Sequence, residues 1–221
     1  MSNQDLIIIG GGGFSLELVD FIFEEDIKTN ITGFLDDSSS CPLSQSNFNI
    51  DHIGALKEKN IPIDCKLFIA IGDPIKRKEI YEHYKDIGPY SFYTFIHSSA
   101  HVSRNVEIGE GSYVGPHCVV SYDAKIEANV SINVFSGVGH GAYIGAHSVI
   151  SPYSVLNGNC KAGICSMFGS NTILFQDVEV GNFCTIDAGS IIRTSLGDYK
   201  MLRNNEKSTI VEDILKKRLF E

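Results

Sequence analysis

The sequence has no surplus of positive charge. Eighteen Lys and Arg stand against 27 Asp and Glu, for a net charge of -9 and a pI near 5.2. A surface of that sign gains neither counterion release on nucleic acid nor attraction to an anionic membrane, and both partner classes are excluded. No apolar run approaches the roughly 18 residues that span a bilayer. The opening "MSNQDLIIIGGGG" has neither the basic flank nor the apolar core of a secretion signal, which predicts a soluble, cytoplasmic chain. Six cysteines are present, none as C-x-x-C; Cys160 and Cys165 form a C-x4-C without a second pair. They read as reduced packing thiols in place of disulfide or zinc ligands. His101, His117, His140 and His147 contain no H-x4-H pair, and no metal is expected.

What is there falls into two patterns that meet near residue 95. In the first, strand-like and helix-like segments alternate. "LIIIG" (6–10) ends in glycines and leads into a helical pattern at Phe14, Leu18, Val19, Ile22 and Phe23. "ITGFLDD" (31–37) and "KLFIAIGD" (66–73) read as two more strands, the last followed by a helix that begins at Pro74. Such alternation predicts a parallel Rossmann-like α/β half-domain over 1–95, with its ligand crevice beyond the carboxyl ends of the strands. Gly10 to Gly13, Asp36, Asp37, Gly72 and Asp73 lie at those ends. "GGGGFS" lacks the third glycine of the dinucleotide fingerprint, so a tight turn and a phosphate loop weigh equally. Asp36 and Asp37 stand either in a solvated loop or where a ribose hydroxyl is held. A single nucleotide suits this half-domain better than two.

From Val102 a strict period of six begins. Every sixth residue from Val102 to Ile192 gives sixteen positions, of which fourteen are Val, Ile or Leu. Four residues after fifteen of them stands a small or β-branched side chain, among them Cys118, Cys160 and Cys184. Hexapeptide periodicity without insertion is the signature of a parallel β-helix, in which the aliphatic side chain points inward and stacks on its equivalents. This domain is predicted over 96–200, with a helical tail over 201–221.

The stretches "IIIGGGGFSLELVDFI", "GFLDD", "FIAIGDPIKR", "FIHSSAHVSRNVEIGEGSYVG", "INVFSGVGHGAYIG" and "GSNTILFQDVEVGNFCTIDAGSII" together resemble the PglD/NeuD-type sugar acyltransferases over nearly the whole chain. The resemblance implies a left-handed β-helix with three hexapeptides per coil, five coils in all, and a homotrimer with active sites between chains. It implies acetyl-CoA as acyl donor and, as acceptor, the amine of a nucleotide-linked sugar, most often a UDP-4-amino-4,6-dideoxy sugar for bacterial surface glycans. By position, Gly12, Gly13, Asp36, Asp37, Gly72, Asp73 and Arg77 match the nucleotide-sugar loops, with Arg77 suited to a diphosphate. His140 matches the catalytic base and Asn133 a residue that lines the substrate pocket. Gly158, Gly169 and Ala188 match the backbone amides that face the thioester and pantetheine arm. Transfer is direct, with His140 taking the amine's proton and no acyl-enzyme.

The chain departs from that pattern in several places. Most relatives carry Asp or Glu after the catalytic histidine, and here the residue is Gly141. A second histidine is replaced by Val149, a loop histidine by Phe14, and the terminal "G-x-P-A-K" segment by "GDYKMLRNNEKS". An imidazole without a carboxylate suits an amine better than a poorly nucleophilic hydroxyl, so N-acylation is expected over O-acylation of a sialic-acid-like sugar. A trimeric nucleotide-sugar-binding protein without turnover is the alternative from another class.

Overall fold

The computed structural model describes residues 4–25 and 29–204. The first half is a five-stranded parallel sheet built from β1 (Gln4–Ile9), β2 (Thr29–Leu35), β3 (His52–Gly54), β4 (Lys66–Ile69) and β5 (Ser91–Phe92), in the order β3-β2-β1-β4-β5. The apolar run of β1 is buried on both faces, as a central parallel strand must be. Leu6 and Ile8 pack with Leu18, Val19 and Ile22 of α1 (Gly13–Glu24), while Ile7 and Ile9 pack with Ile80 and Tyr84 of α2 (Pro74–Ile87). Strand order reverses between β1 and β4, so their carboxyl ends open the crevice in which ligands of such sheets bind.

The second half is a left-handed parallel β-helix whose two-residue strands recur every six residues. Each strand pairs with the one 18 residues later, as Val119 does with Gly137, so three hexapeptides make one coil. The three faces hold six, five and seven strands. The inward positions from Val114 to Ile192 are at most 3 % exposed, and the small residues between them, including Cys118 and Cys160, are equally buried. Truncating one of the large aliphatics of this stack to Ala would cost about 2–5 kcal/mol, because the rigid coils above and below cannot collapse onto the gap.

Corners recur at the same period. Third after each inward residue comes a left-handed position, held at φ of 52° to 66° by Asn105, His117, Asp123, Asn129, Phe135, His147, Asn159 and others. Gly141 occupies this position at φ +64°, which explains a glycine beside the histidine in conformational terms.

The prism extends past the expected boundary. Met201–Leu202 pairs in parallel with Thr185–Ile186 as a further strand, so the segment assigned to a helical tail begins as another rung. The remainder of that expectation, 205–221, lies outside the described residues.

The two halves are clasped together. Tyr113 of the prism is fully buried against Phe14, at 5.0 Å between ring centroids, and stacks on Phe95. Glu110 accepts from the Tyr81 hydroxyl at 2.8 Å and pairs with Lys85 at 2.5 Å. No helix among the described residues is long and apolar enough to cross a membrane.

Candidate functional site

The first site element is the crevice at the β1/β4 switch point, a space of about 460 Å³ lined by Gly10, Gly12, Gly13, Phe14, Asp36, Asp37, Ser38, Leu56, Ala70, Ile71, Gly72 and Lys76. Gly12, Gly13 and Gly72 have nothing within 4 Å of where a Cβ would stand. Their smallness leaves room for a ligand; no internal packing demands it. Gly12 caps α1, whose first amides face the crevice with no hydrogen-bond partner among the described residues, a favourable seat for phosphate. Asp36 accepts from the Gly11 amide at 2.7 Å and the Ser38 amide at 2.8 Å, which fixes the loop against the end of β2. Asp37 accepts from the Leu56 amide at 3.1 Å.

Two residues expected here do other work. Asp73 is the N-cap of α2, accepting from the Lys76 amide at 2.9 Å, and does not line the crevice. Arg77 is fully buried and faces the prism. It donates to the carbonyls of Ile69 (2.7 Å), Ile71 (3.0 Å) and Asn129 (3.0 Å), and to Asn129 Oδ1 at 2.6 Å. Burial lowers its pKa to about 9, which leaves it cationic at neutral pH. Its donors are spent on protein acceptors, so it holds the domains together and has none to offer a diphosphate. Lys76, exposed on the crevice wall, is the cation in reach of an anion there. Asn129 Nδ2 in turn bonds His147 Nδ1 at 3.0 Å, and burial, reinforced by the Arg77 charge, pushes the His147 pKa down to about 4.

The second site element is the edge that carries His140. A coil of 18 residues stacks Tyr122, His140, Gly158 and Gln176 in one column, with Ser121, Gly139, Asn157 and Phe175 in the column beside it. His140 lies over Gly158: a Cβ on Gly158 would stand 2.6 Å from Cε1 and Nε2 of the ring. The Gly158 amide N–H has no partner among the described residues, while its carbonyl accepts from Asp177. His140, Gly158, Ser121, Asn157 and Gln176 share a groove of about 290 Å³ with the outer face of Val119 and Val155. No described residue hydrogen-bonds the imidazole, as the loss of a carboxylate at 141 leads one to expect.

Asn133 sits on a different edge, its Nδ2 donating to the Ile150 carbonyl at 2.8 Å, and within one chain it does not reach the His140 groove. Of the three positions assigned to the thioester, Gly158 and Ala188 have free amides among the described residues. Gly169 does not: its N–H donates to Ile186 at 2.8 Å and its carbonyl accepts from Ser154 and Thr172. Asn157 and Gln176 were not singled out from sequence, although both fall on the 18-residue period from Gly139 and His140. All six cysteines are free and buried, and burial raises Cys118 to about 11 and Cys160 to about 12. Among the described residues no group of three His, Cys, Asp or Glu side chains is placed to hold a metal.

The PglD N-terminal domain family matches residues 5–84, and the bacterial transferase hexapeptide family matches 123–158. The two matches together are those expected of a PglD/NeuD-type sugar acyltransferase. The chain is similar to the acetyltransferase domain of PglB from Neisseria gonorrhoeae FA1090, solved in complex with acetyl coenzyme A, with 27% identity, 90% of this chain and 95% of that one covered, and a TM-score of 0.81. It is similar to PerB from Caulobacter crescentus, solved with CoA and GDP-perosamine, at 25% identity over 90% and 93% of the two chains and a TM-score of 0.78. WeeI from Acinetobacter baumannii AYE shares the fold at 18% identity, covering 91% and 97%, with a TM-score of 0.64. No curated protein sequence matches the chain.

Proposed function

We infer that this chain transfers the acetyl group of acetyl-CoA to the amine of a nucleotide-linked amino sugar, with His140 as general base. One observation carries the reading: an exposed imidazole lies over Gly158, whose amide has no partner among the described residues, on an edge with room beside it. The amine nitrogen attacks the thioester carbonyl carbon, and the C–N bond forms as His140 takes the proton. The electron pair moves to the carbonyl oxygen, where the Gly158 N–H stabilises it. Collapse breaks the C–S bond, and the departing thiolate takes the proton from His140. The thiols raised by burial are poor nucleophiles, which favours direct transfer over an acyl-cysteine. The similarity to PglB and PerB supports acetyl-CoA and a nucleotide sugar as the two substrates.

The acting unit in this reading is a homotrimer. The face that begins at His101 presents Val119 (46 % exposed), Val155 (40 %) and Ile191 (55 %) around Gly137, apolar area that a second copy would cover. Such packing brings one chain's Asn133 edge to another's His140 groove and dries the reaction. The crevice holds the nucleotide, with Lys76 near its phosphates and Asp36 or Asp37 near the ribose. Among acceptors, a UDP-4-amino-4,6-dideoxy sugar is the first candidate and GDP-perosamine the second. The unbraced imidazole favours amines over hydroxyls.

Purified protein with acetyl-CoA, a thiol-detecting reagent and a panel of acceptors tests this. Thiol release with nucleotide-linked amino sugars, faster than with hydroxyl acceptors of the sialic-acid type, is expected. Faster hydroxyl acylation would make the protein an O-acetyltransferase. Nucleotide-sugar binding without thiol release from any acceptor would make it a binding protein.

A further inference from the structure

The edge that carries His140 ends in a cation that no described acceptor or carboxylate pairs with. Arg193 lies 18 residues after Phe175 and 36 after Asn157, in the column that borders the groove. Its guanidinium lies over the Phe175 ring at 3.9 Å from the centroid, and that ring packs on the prism core. Arg193 is exposed, forms no salt bridge, and its N–H groups have no acceptor among the described residues. Lysines on the neighbouring face contrast with it, Lys125 and Lys161 both being paired with glutamates. In a chain of net charge -9, a guanidinium seated over an aromatic ring and unpaired among the described residues is organised for an anion from outside.

Position says which anion. Coils stack about 4.8 Å apart, so Arg193, three coils below the Gly139–His140 corner, stands on the order of 14 Å along the prism from the imidazole. An acyl donor whose thioester lies at the Gly158 amide, and whose extended arm runs down this edge past Gln176, brings its nucleotide phosphates to that level. We propose that Arg193, braced by Phe175, is the phosphate anchor of the acyl donor. This rests on the acetyl-CoA reading given above.

The test compares acetyl donors of decreasing phosphate content (acetyl-CoA, acetyl-dephospho-CoA and acetyl-pantetheine) on the full chain and on Arg193→Gln and Arg193→Lys. Arg193→Gln is expected to raise KM for acetyl-CoA about 10- to 100-fold, the scale of a lost charge-assisted pair. Its kcat/KM for acetyl-pantetheine should stay within about twofold of wild type, its KM for the nucleotide sugar should not change, and Arg193→Lys should fall between. If acetyl-dephospho-CoA loses as much as acetyl-CoA, the pyrophosphate is the ligand; if it behaves like acetyl-pantetheine, the 3′-phosphate is. Either pattern supports the anchor. An equal loss with acetyl-CoA and acetyl-pantetheine, no loss with acetyl-CoA, or a raised KM for the nucleotide sugar overturns it. Wild-type protein that transfers acetyl from no donor would instead remove the acyltransferase reading.

Discussion

A Cβ added at Gly12, Gly13 or Gly72 of the α/β domain would meet nothing within 4 Å, whereas one added at Gly139, Gly163 or Gly169 of the prism would run into the backbone of the next coil at Asn157, Gly181 or Ala188. In the first domain the missing side chains leave room above a sheet edge and a helix N-terminus, where a ligand can approach. In the prism they let parallel strands stack at hydrogen-bonding distance through the corners. Gly158 belongs to neither class, since the atoms that fill its missing Cβ are those of the His140 imidazole. The same residue type therefore marks open space in one half, coil packing in the other, and at Gly158 the seat of an exposed imidazole.

Substitutions to alanine separate these meanings. Gly158→Ala pushes the imidazole off the edge and shields the amide below it. A loss of about 100-fold in kcat is expected with an unchanged melting temperature, the scale of a catalytic group displaced by roughly 1 Å. Gly163→Ala, far from the imidazole, meets only backbone, and should cost about 1–3 kcal/mol of stability with normal kcat in the folded fraction. Gly12→Ala reverses that pattern: unaltered melting, and KM for the nucleotide sugar raised about tenfold, or ~1.4 kcal/mol. Equal destabilisation by Gly12→Ala and Gly163→Ala, measured by thermal melting, would dissolve the distinction.

A smaller effect concerns the clasp between the halves. His147 is buried neutral against Asn129, with Arg77, Lys78 and Glu82 around it, and its pKa falls from 6.5 to about 4. The unfolded chain binds a proton there below about pH 6.5 while the folded chain does not. The stability His147 contributes is thus complete above that pH and lost progressively as pH falls toward 4. His147→Asn, which suits the left-handed corner as Asn129 does one coil earlier, should flatten the melting profile between pH 6.5 and 4. A profile unchanged by the substitution would place the acid sensitivity elsewhere.

Much of the prism was legible because its period is set by local geometry. The six-residue phase placed the inward column from Val114 to Ile192 and the buried thiols Cys118, Cys160 and Cys184 without any knowledge of long-range contacts. The α/β half and the open glycines of its crevice were legible from strand-to-helix alternation. Arg77 was misread because its partner Asn129 is 52 residues away and the contact exists only once the domains dock. Asp73 was a helix cap, a role that the following Pro74 signals. Gly169 shared its residue type with Gly158 but not its place on the corner. Asn157 and Gln176 were within reach, since the same coil length that stacks the strands puts them on the His140 edge. Asn133 lies on another edge, away from the His140 groove.

The central claim is that the His140 imidazole, seated over Gly158, removes the amine's proton. Steady-state kinetics of His140→Ala with acetyl-CoA and the preferred nucleotide-linked amino sugar tests it most directly. The expected result is a kcat lower by about 10²- to 10⁴-fold, with KM for the nucleotide sugar within a few-fold of wild type. A variant that retains near-normal kcat would contradict it and leave His140 an exposed corner residue of the prism.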